Sequence, residues 1–195
     1  MIETASLIEE RLSEQAQAAL KPIVGKALAM RTPWAASHGD GGFYTDRILL
    51  IKSVKNDIAE YAQLEICELD APFTEDHLYR YSLSEHEKSW AELTGENPSS
   101  WVYRNSPEHN PIRKIEIYSY ISISNQMKAW PHLEKLEEVR SYDYEILFCL
   151  ENGRQVSIRP MHNWNLIEVS LTPSFEIPHS KMRIGDNLNL RLTIN

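Results

Sequence analysis

The segment YDYEILFCLENGRQVSIRP, residues 142 to 160, constrains the fold more than any other stretch of this chain. Two apolar runs flank Asn152-Gly153, a dipeptide that reaches positive φ at little cost and so closes a two-residue β-hairpin. That turn sets Glu151 opposite Arg154, Cys149 opposite Val156 and Leu147 opposite Ile158. The first arm is apolar on both faces, because Ile146, Phe148 and Leu150 occupy the second. It therefore belongs inside a sheet, while Gln155, Ser157 and Arg159 of the second arm are expected to meet water.

A central strand needs neighbours, and the sequence after residue 110 supplies them. IRKIEIYSYISIS alternates, with Ile115, Ile117, Ile121 and Ile123 on one face and Tyr118 and Tyr120 on the other. LIEVSL adds a strand, and NLNLRLTI adds another with Leu188, Leu190, Leu192 and Ile194 in phase. LEKLEEV reads as a short helix ahead of the hairpin. Short strands joined by tight turns predict an antiparallel sheet.

The first 110 residues are mixed. Ser6-Leu-Ile-Glu9 has capping-box spacing and predicts a helix from Leu7, with Ile8, Leu12, Ala16 and Leu20 on one face, ended at Lys21-Pro22. Strands are expected in the run from Ile23 to Met30, in RILLIKSV and in YAQLEICEL. The middle reads as helical: Thr74 precedes Glu75 and Asp76, Ser84-Glu-His-Glu87 is a second capping box, and Gly95 stands at a C′ position. Asn97-Pro98 suits one more helical start, and Trp90, Leu93, Trp101 and Val102 would anchor the segment to the sheet. The expected class is α+β, with a mostly antiparallel sheet in the C-terminal half and a helix-flanked smaller β region in the N-terminal half. This makes one domain over 1–195, with room for two lobes, 1–110 and 111–195.

No motif nominates an enzyme. SHGDGGFYTD, residues 37 to 46, is rich in glycine, but it leads into a strand rather than a helix, so no helix N-terminus follows to hold a phosphate. It reads as an inter-strand loop. His38, Asp40 and Asp46 could join a histidine from the C-terminal sheet in a small catalytic site, and this is the enzymatic alternative. The other histidines are scattered, and no HExxH, GxSxG or paired Cys/His pattern occurs, so no cofactor or metal is expected. Cys67 and Cys149 lie in apolar strands and read as buried, reduced thiols. The start of the chain carries glutamates where a secretion signal needs positive charge, which predicts a cytoplasmic protein.

Charge supplies the functional expectation. Net charge is −8, and residues 1 to 110 hold 18 acids against 10 bases while the remainder is balanced at 10 and 10. Between Asp57 and Glu96 there are 11 acids against Arg80 and Lys88. Such a field repels nucleic acid and anionic membrane and attracts basic surfaces. Interleaved aromatic residues could supply binding energy. The expected function is a non-enzymatic module that covers a basic protein partner, as an inhibitor or immunity-type protein against a nuclease or toxin would. Its docking residues are Asp70, Glu75, Asp76, Tyr79, Tyr81, Glu85, Glu87 and Trp90. A homo-oligomer pairing through a sheet edge, such as the C-terminal strand, is the structural alternative.

Overall fold

A computed structural model of the chain describes residues 6–38, 42–69, 78–95, 102–104, 110–125, 137–161, 166–172 and 188–195. Strand β1 (Ser6–Glu10) runs into helix α1 (Glu14–Leu20) and a 3-10 turn (Lys21–Ile23). Short strands β2 (Ala29–Arg31), β3 (Ala36–His38) and β4 (Gly42–Thr45) precede the longer β5 (Arg47–Lys55) and β6 (Ile58–Leu69). Next come β7 (Leu78–Ser89), helix α2 (Trp90–Gly95) and β8 (Val102–Arg104). The C-terminal half contributes β9 (Ile112–Asn125), β10 (Glu137–Leu150), β11 (Gln155–Met161), β12 (Leu166–Thr172) and β13 (Leu188–Ile194).

These strands form two mostly antiparallel sheets. The larger runs β13-β9-β10-β11-β12-β4-β3, and the smaller runs β7-β6-β5-β2-β8. Strand β1 lies parallel to the first part of β10, on the side that β11 occupies farther along. The first 110 residues thus supply the whole smaller sheet and also β1, β3 and β4 of the larger one. Between the sheets, Ile48, Leu50, Leu64 and Ile66 pack with Ile115, Ile117, Ile146, Phe148, Ile158 and Val169. Helix α1 adds Ala16 and Leu20 to the same core.

Helix content is lower than the sequence predicts. Ser6–Glu10 is a strand, because pairing with β10 along all five residues overrides the local capping signal. The helix begins later, where the Ser13 hydroxyl accepts from the Ala16 N–H at 3.1 Å. Ser84–Glu87, read as a helix start, lies within β7, which pairs with β6 along its full length without a register break. Glu137–Val139, the end of the expected LEKLEEV helix, belongs to β10. Thr74 to Asp76, Asn97-Pro98, Trp101 and residues 133 to 136 lie outside the described residues.

The hairpin forms one residue out of its expected register. Leu150 N donates to Arg154 O at 2.9 Å, so the loop comprises Glu151, Asn152 and Gly153, with Gly153 at φ 83°. A turn followed by a left-handed glycine is the usual three-residue solution. Ile146 now faces Ile158 and Phe148 faces Val156, which puts both arms' apolar residues on the core side. Gln155, Ser157 and Arg159 do take the other face, but only Gln155 is partly open to water as expected: Ser157 is 0% exposed and Arg159 4%. Polar pairing permits that burial, since Ser157 donates to Glu145 and Arg159 lies 3.6 Å from Glu168.

Bulges reset the faces of two neighbouring strands at one level of β9. In β10 the register slips between Asp143 and Glu145, and in β13 between Leu190 and Leu192. Each slip exchanges the inward and outward sets beyond it. Leu188 therefore packs with Tyr120, Tyr142 and Tyr144 outside the sheet, whereas Leu192 and Ile194 join the core. The single apolar face expected for β13 is split between the two sides of the sheet.

Candidate functional site

Where β5, β6 and β7 lie side by side, their register gathers carboxylates. Glu60 of β6 sits directly opposite Glu87 of β7, and Glu85 stands opposite Ala62. Because alternate residues share a face, Glu60, Glu85 and Glu87 project from one side of the sheet, the side whose Ala62, Leu64 and Ile66 enter the core farther along. Here the strands run past that core, and all three glutamates are exposed. A register break between Ile51 and Ser53 lets consecutive residues of β5 reach the same group: Lys52 pairs with Glu85, and the Ser53 hydroxyl donates to Glu60 at 2.9 Å. Lys52, Glu60, Tyr61, Glu85, His86 and Glu87 line an open depression of about 530 Å³.

The opposite side of these strands carries a small apolar cluster bordered at the edge by exposed Ser84 and His86. Tyr61 stacks on His86 with ring centroids 5.5 Å apart, and Ser84 Oγ lies 2.7 Å from His86 Nε2. Tyr61 also joins Leu49, Ala59 and Leu93, against which Ile51 and Trp90 pack. The β5–β6 connection is a tight turn in which Asn56 and Asp57 both have positive φ, 48° and 63°. Asp57 then holds the start of α2, since its carbonyl accepts from Trp90 N at 2.7 Å and its carboxylate from Ser89 Oγ at 2.9 Å. At this end Ile58 is 44% exposed on the Glu60 side, opposite Lys55.

The expected docking residues divide. Glu85 and Glu87 are exposed and adjacent to the depression. Trp90 is half-buried against Tyr61 and Leu93, so it braces the site from behind. Tyr81 is 5% exposed and belongs to the core between the sheets, away from any outward face. Its hydroxyl lies 2.8 Å from Tyr144 O and 2.9 Å from Ile158 O, which it serves as donor. Burial, reinforced by Tyr144 and Glu145, holds the Tyr81 hydroxyl protonated well beyond its ordinary range. Asp70, Glu75, Asp76 and the Tyr79 side chain lie outside the described residues. Sequence reasoning missed Lys52, Glu60 and His86, and counted Tyr61 only among the interleaved aromatic residues. The signal for them was LYRYSL, whose alternation marks β7 as a strand and so sets it beside β6.

The residues of the enzymatic alternative are not brought together among those described. His38 pairs through its backbone with Gly42, so SHGDGGFYTD is strand, loop and strand, with residues 39 to 41, including Asp40, outside the description. Asp46 marks the crossover from the larger sheet to the smaller and lies 3.6 Å from Arg47 Nε. Among the described residues no group of three His, Cys, Asp or Glu side chains is arranged to hold a metal ion. No described helix is long and apolar enough to cross a membrane.

Shifted proton affinities occur elsewhere, on the outward side of the larger sheet, and they run away from reactivity. Burial pushes the Cys149 thiol up to about 11, and Glu116, whose carboxylate lies 3.6 Å from its sulfur, adds to the rise. A thiol held in that form is a poor nucleophile. Burial alone would raise Glu116, but the hydrogen bond and charge of Lys114, with hydrogen bonds from Tyr118 and Cys149, hold it below the ordinary carboxylate value. Cys67, expected to be buried, is exposed, and both cysteines are free. The chain matches no protein-family model, no curated protein and no solved structure.

Proposed function

We propose that this protein is a non-enzymatic binding module whose acidic face, formed by Glu60, Glu85 and Glu87, docks a basic protein partner. The observation that carries the reading is the direct opposition of Glu60 and Glu87 on paired strands. Like charges in that position cost stability. Lys52 is committed to Glu85, and among the described residues no ion pair reaches Glu60 or Glu87, so the opposed pair is open to a cation from outside. Ile58, exposed on the same side, offers apolar area beside the charges. An inhibitor or immunity-type protein that covers a cationic nuclease or toxin is the functional class this chemistry suits. Self-assembly through β13 is less well supported, because the bulge at Arg191 interrupts that edge.

The test compares affinity capture by the wild-type protein and by Glu60→Lys/Glu87→Lys, each at low and high ionic strength. A basic protein retained by wild type at low salt should be released as salt rises, because exposed charge attraction is screened within about 8 Å at physiological strength. The charge-reversed variant should retain none of it. An identical captured set for both proteins would remove the proposal.

A further inference from the structure

The acidic face borders a strand edge, and the edge restricts how a partner can dock. Among the described residues strand β7 ends the smaller sheet, and it pairs with β6 over its 12 residues with no register break. In an antiparallel ladder, every second residue of such a strand turns its N–H and C=O away from its neighbour. Ser84, Glu85, His86 and Glu87 are exposed in succession, so both faces of the sheet reach water along this part of the edge. The other sheet ends differ. Strands β3 and β8 have three residues each, and β13 is broken by its bulge, with Arg191 turned to Asp143.

We infer that β7 accepts an extended segment of the basic partner as an added strand, with lysine or arginine at alternate positions beside Glu85 and Glu87. The inference rests on the acidic-face reading and adds the mode of docking. Main-chain hydrogen bonds to an edge give affinity without sequence preference, and side chains on alternate positions give specificity. Residues two apart in a strand repeat at about 6.6 Å on one face. Glu85 and Glu87 have that spacing, so a partner strand carrying cations two residues apart matches both at once. A second copy of this chain fits poorly, since antiparallel pairing centred on His86 sets Glu85 against Glu87. The same charges that deter self-pairing select a cationic strand.

The probe is a labelled peptide of about eight residues, with lysines alternating with threonine and valine, titrated at low salt and followed by fluorescence anisotropy. Its comparisons are an isomer with the lysines contiguous and two forms N-methylated on one or the other alternate set of amides. The alternating peptide should bind, and methylation of the edge-facing set should weaken it by about tenfold or more through lost main-chain hydrogen bonds. Methylation of the other set should leave affinity unchanged, and the contiguous isomer should bind more weakly. Equal binding by all four peptides, abolished by Glu85→Lys/Glu87→Lys, would overturn strand addition and keep the acidic face. Binding indifferent to that charge reversal would overturn the acidic face itself. Failure of every peptide to bind would overturn strand addition, as would a concentration-dependent dimer in sedimentation that excludes the peptide.

Discussion

Arg191 grips Asp143 with both arms of its guanidinium, Nε to Oδ1 at 2.6 Å and Nη2 to Oδ2 at 2.5 Å, although their strands are separated by β9. The contact exists because β10 and β13 slip at the same level of β9. Asp143 is 2% exposed and also accepts from Ser119 Oγ and from Leu12 N, both at 2.8 Å. One carboxylate thereby fixes the C-terminal strand, the middle of β9 and the passage from β1 to α1.

Replacing Asp143 by Asn should destabilise the fold by about 2 kcal/mol, below the usual cost of breaking a buried pair because both arginines nearby are partly solvated. A double-mutant cycle with Arg191→Ala, measured by urea unfolding, should return a coupling above about 1 kcal/mol. Additive losses would show that the contact contributes packing alone.

Tyr81→Phe removes the donor shared by the carbonyls of Tyr144 and Ile158 and leaves the ring in place. Tyr144 lies at the bulge, where the ladder with β9 is interrupted. The expected loss is about 1–3 kcal/mol in chemical denaturation, with no change in peptide or partner binding. A variant as stable as wild type would mean that water replaces the phenol.

Glu87→Lys should do two things of opposite sign. It converts the Glu60–Glu87 opposition into an attractive cross-strand pair, which should raise stability by a few tenths of a kcal/mol. It should also abolish capture of the basic partner. A variant that loses stability, or one that keeps the partner, contradicts the role assigned to the pair.

The thiols should separate cleanly by reactivity. Cys67 is exposed and should react with a disulfide reagent in the native protein, whereas Cys149 should react only after unfolding. The raised affinity of Cys149 for its proton also ties stability to alkaline pH. Its folded value lies near 11, above the ordinary thiol value of 9.0, so the unfolded chain loses the proton first. Stability from this group is complete below about 9 and falls as pH rises through 11. Cys149→Ala should make that decline shallower, most clearly between about 9 and 10, before the raised hydroxyls of Tyr81, Tyr118 and Tyr144 add their own loss, and a wild-type curve that is flat there would refute the assignment.

Sequence patterns reached their target where a segment's own periodicity agreed with its surroundings. RILLIKSV, YAQLEICEL, IRKIEIYSYISIS, LIEVSL and LNLRLTI are all strands, and Lys21-Pro22 marks the end of α1. The capping boxes at Ser6 and Ser84 failed together, since each describes only how a helix could start. Both segments met a long partner strand that pairs with them along their whole length instead. The candidate site was half legible: Glu85 and Glu87 stood out as acids, but Glu60 and Lys52 became part of it only through cross-strand register.

What the sequence determined by itself was the alternation of apolar and polar residues, and hence the mostly antiparallel sheet; the helices it suggested at Ser6 and Ser84 did not form. What only the tertiary structure decided was which side of each strand faces inward and which charges meet. Side chains in a strand repeat every two residues, so one extra residue exchanges the faces beyond it. The loop at Gly153 and the bulges beside Tyr144 and Arg191 each insert such a residue. Their positions follow from how neighbouring strands pair and pack, which no single strand encodes.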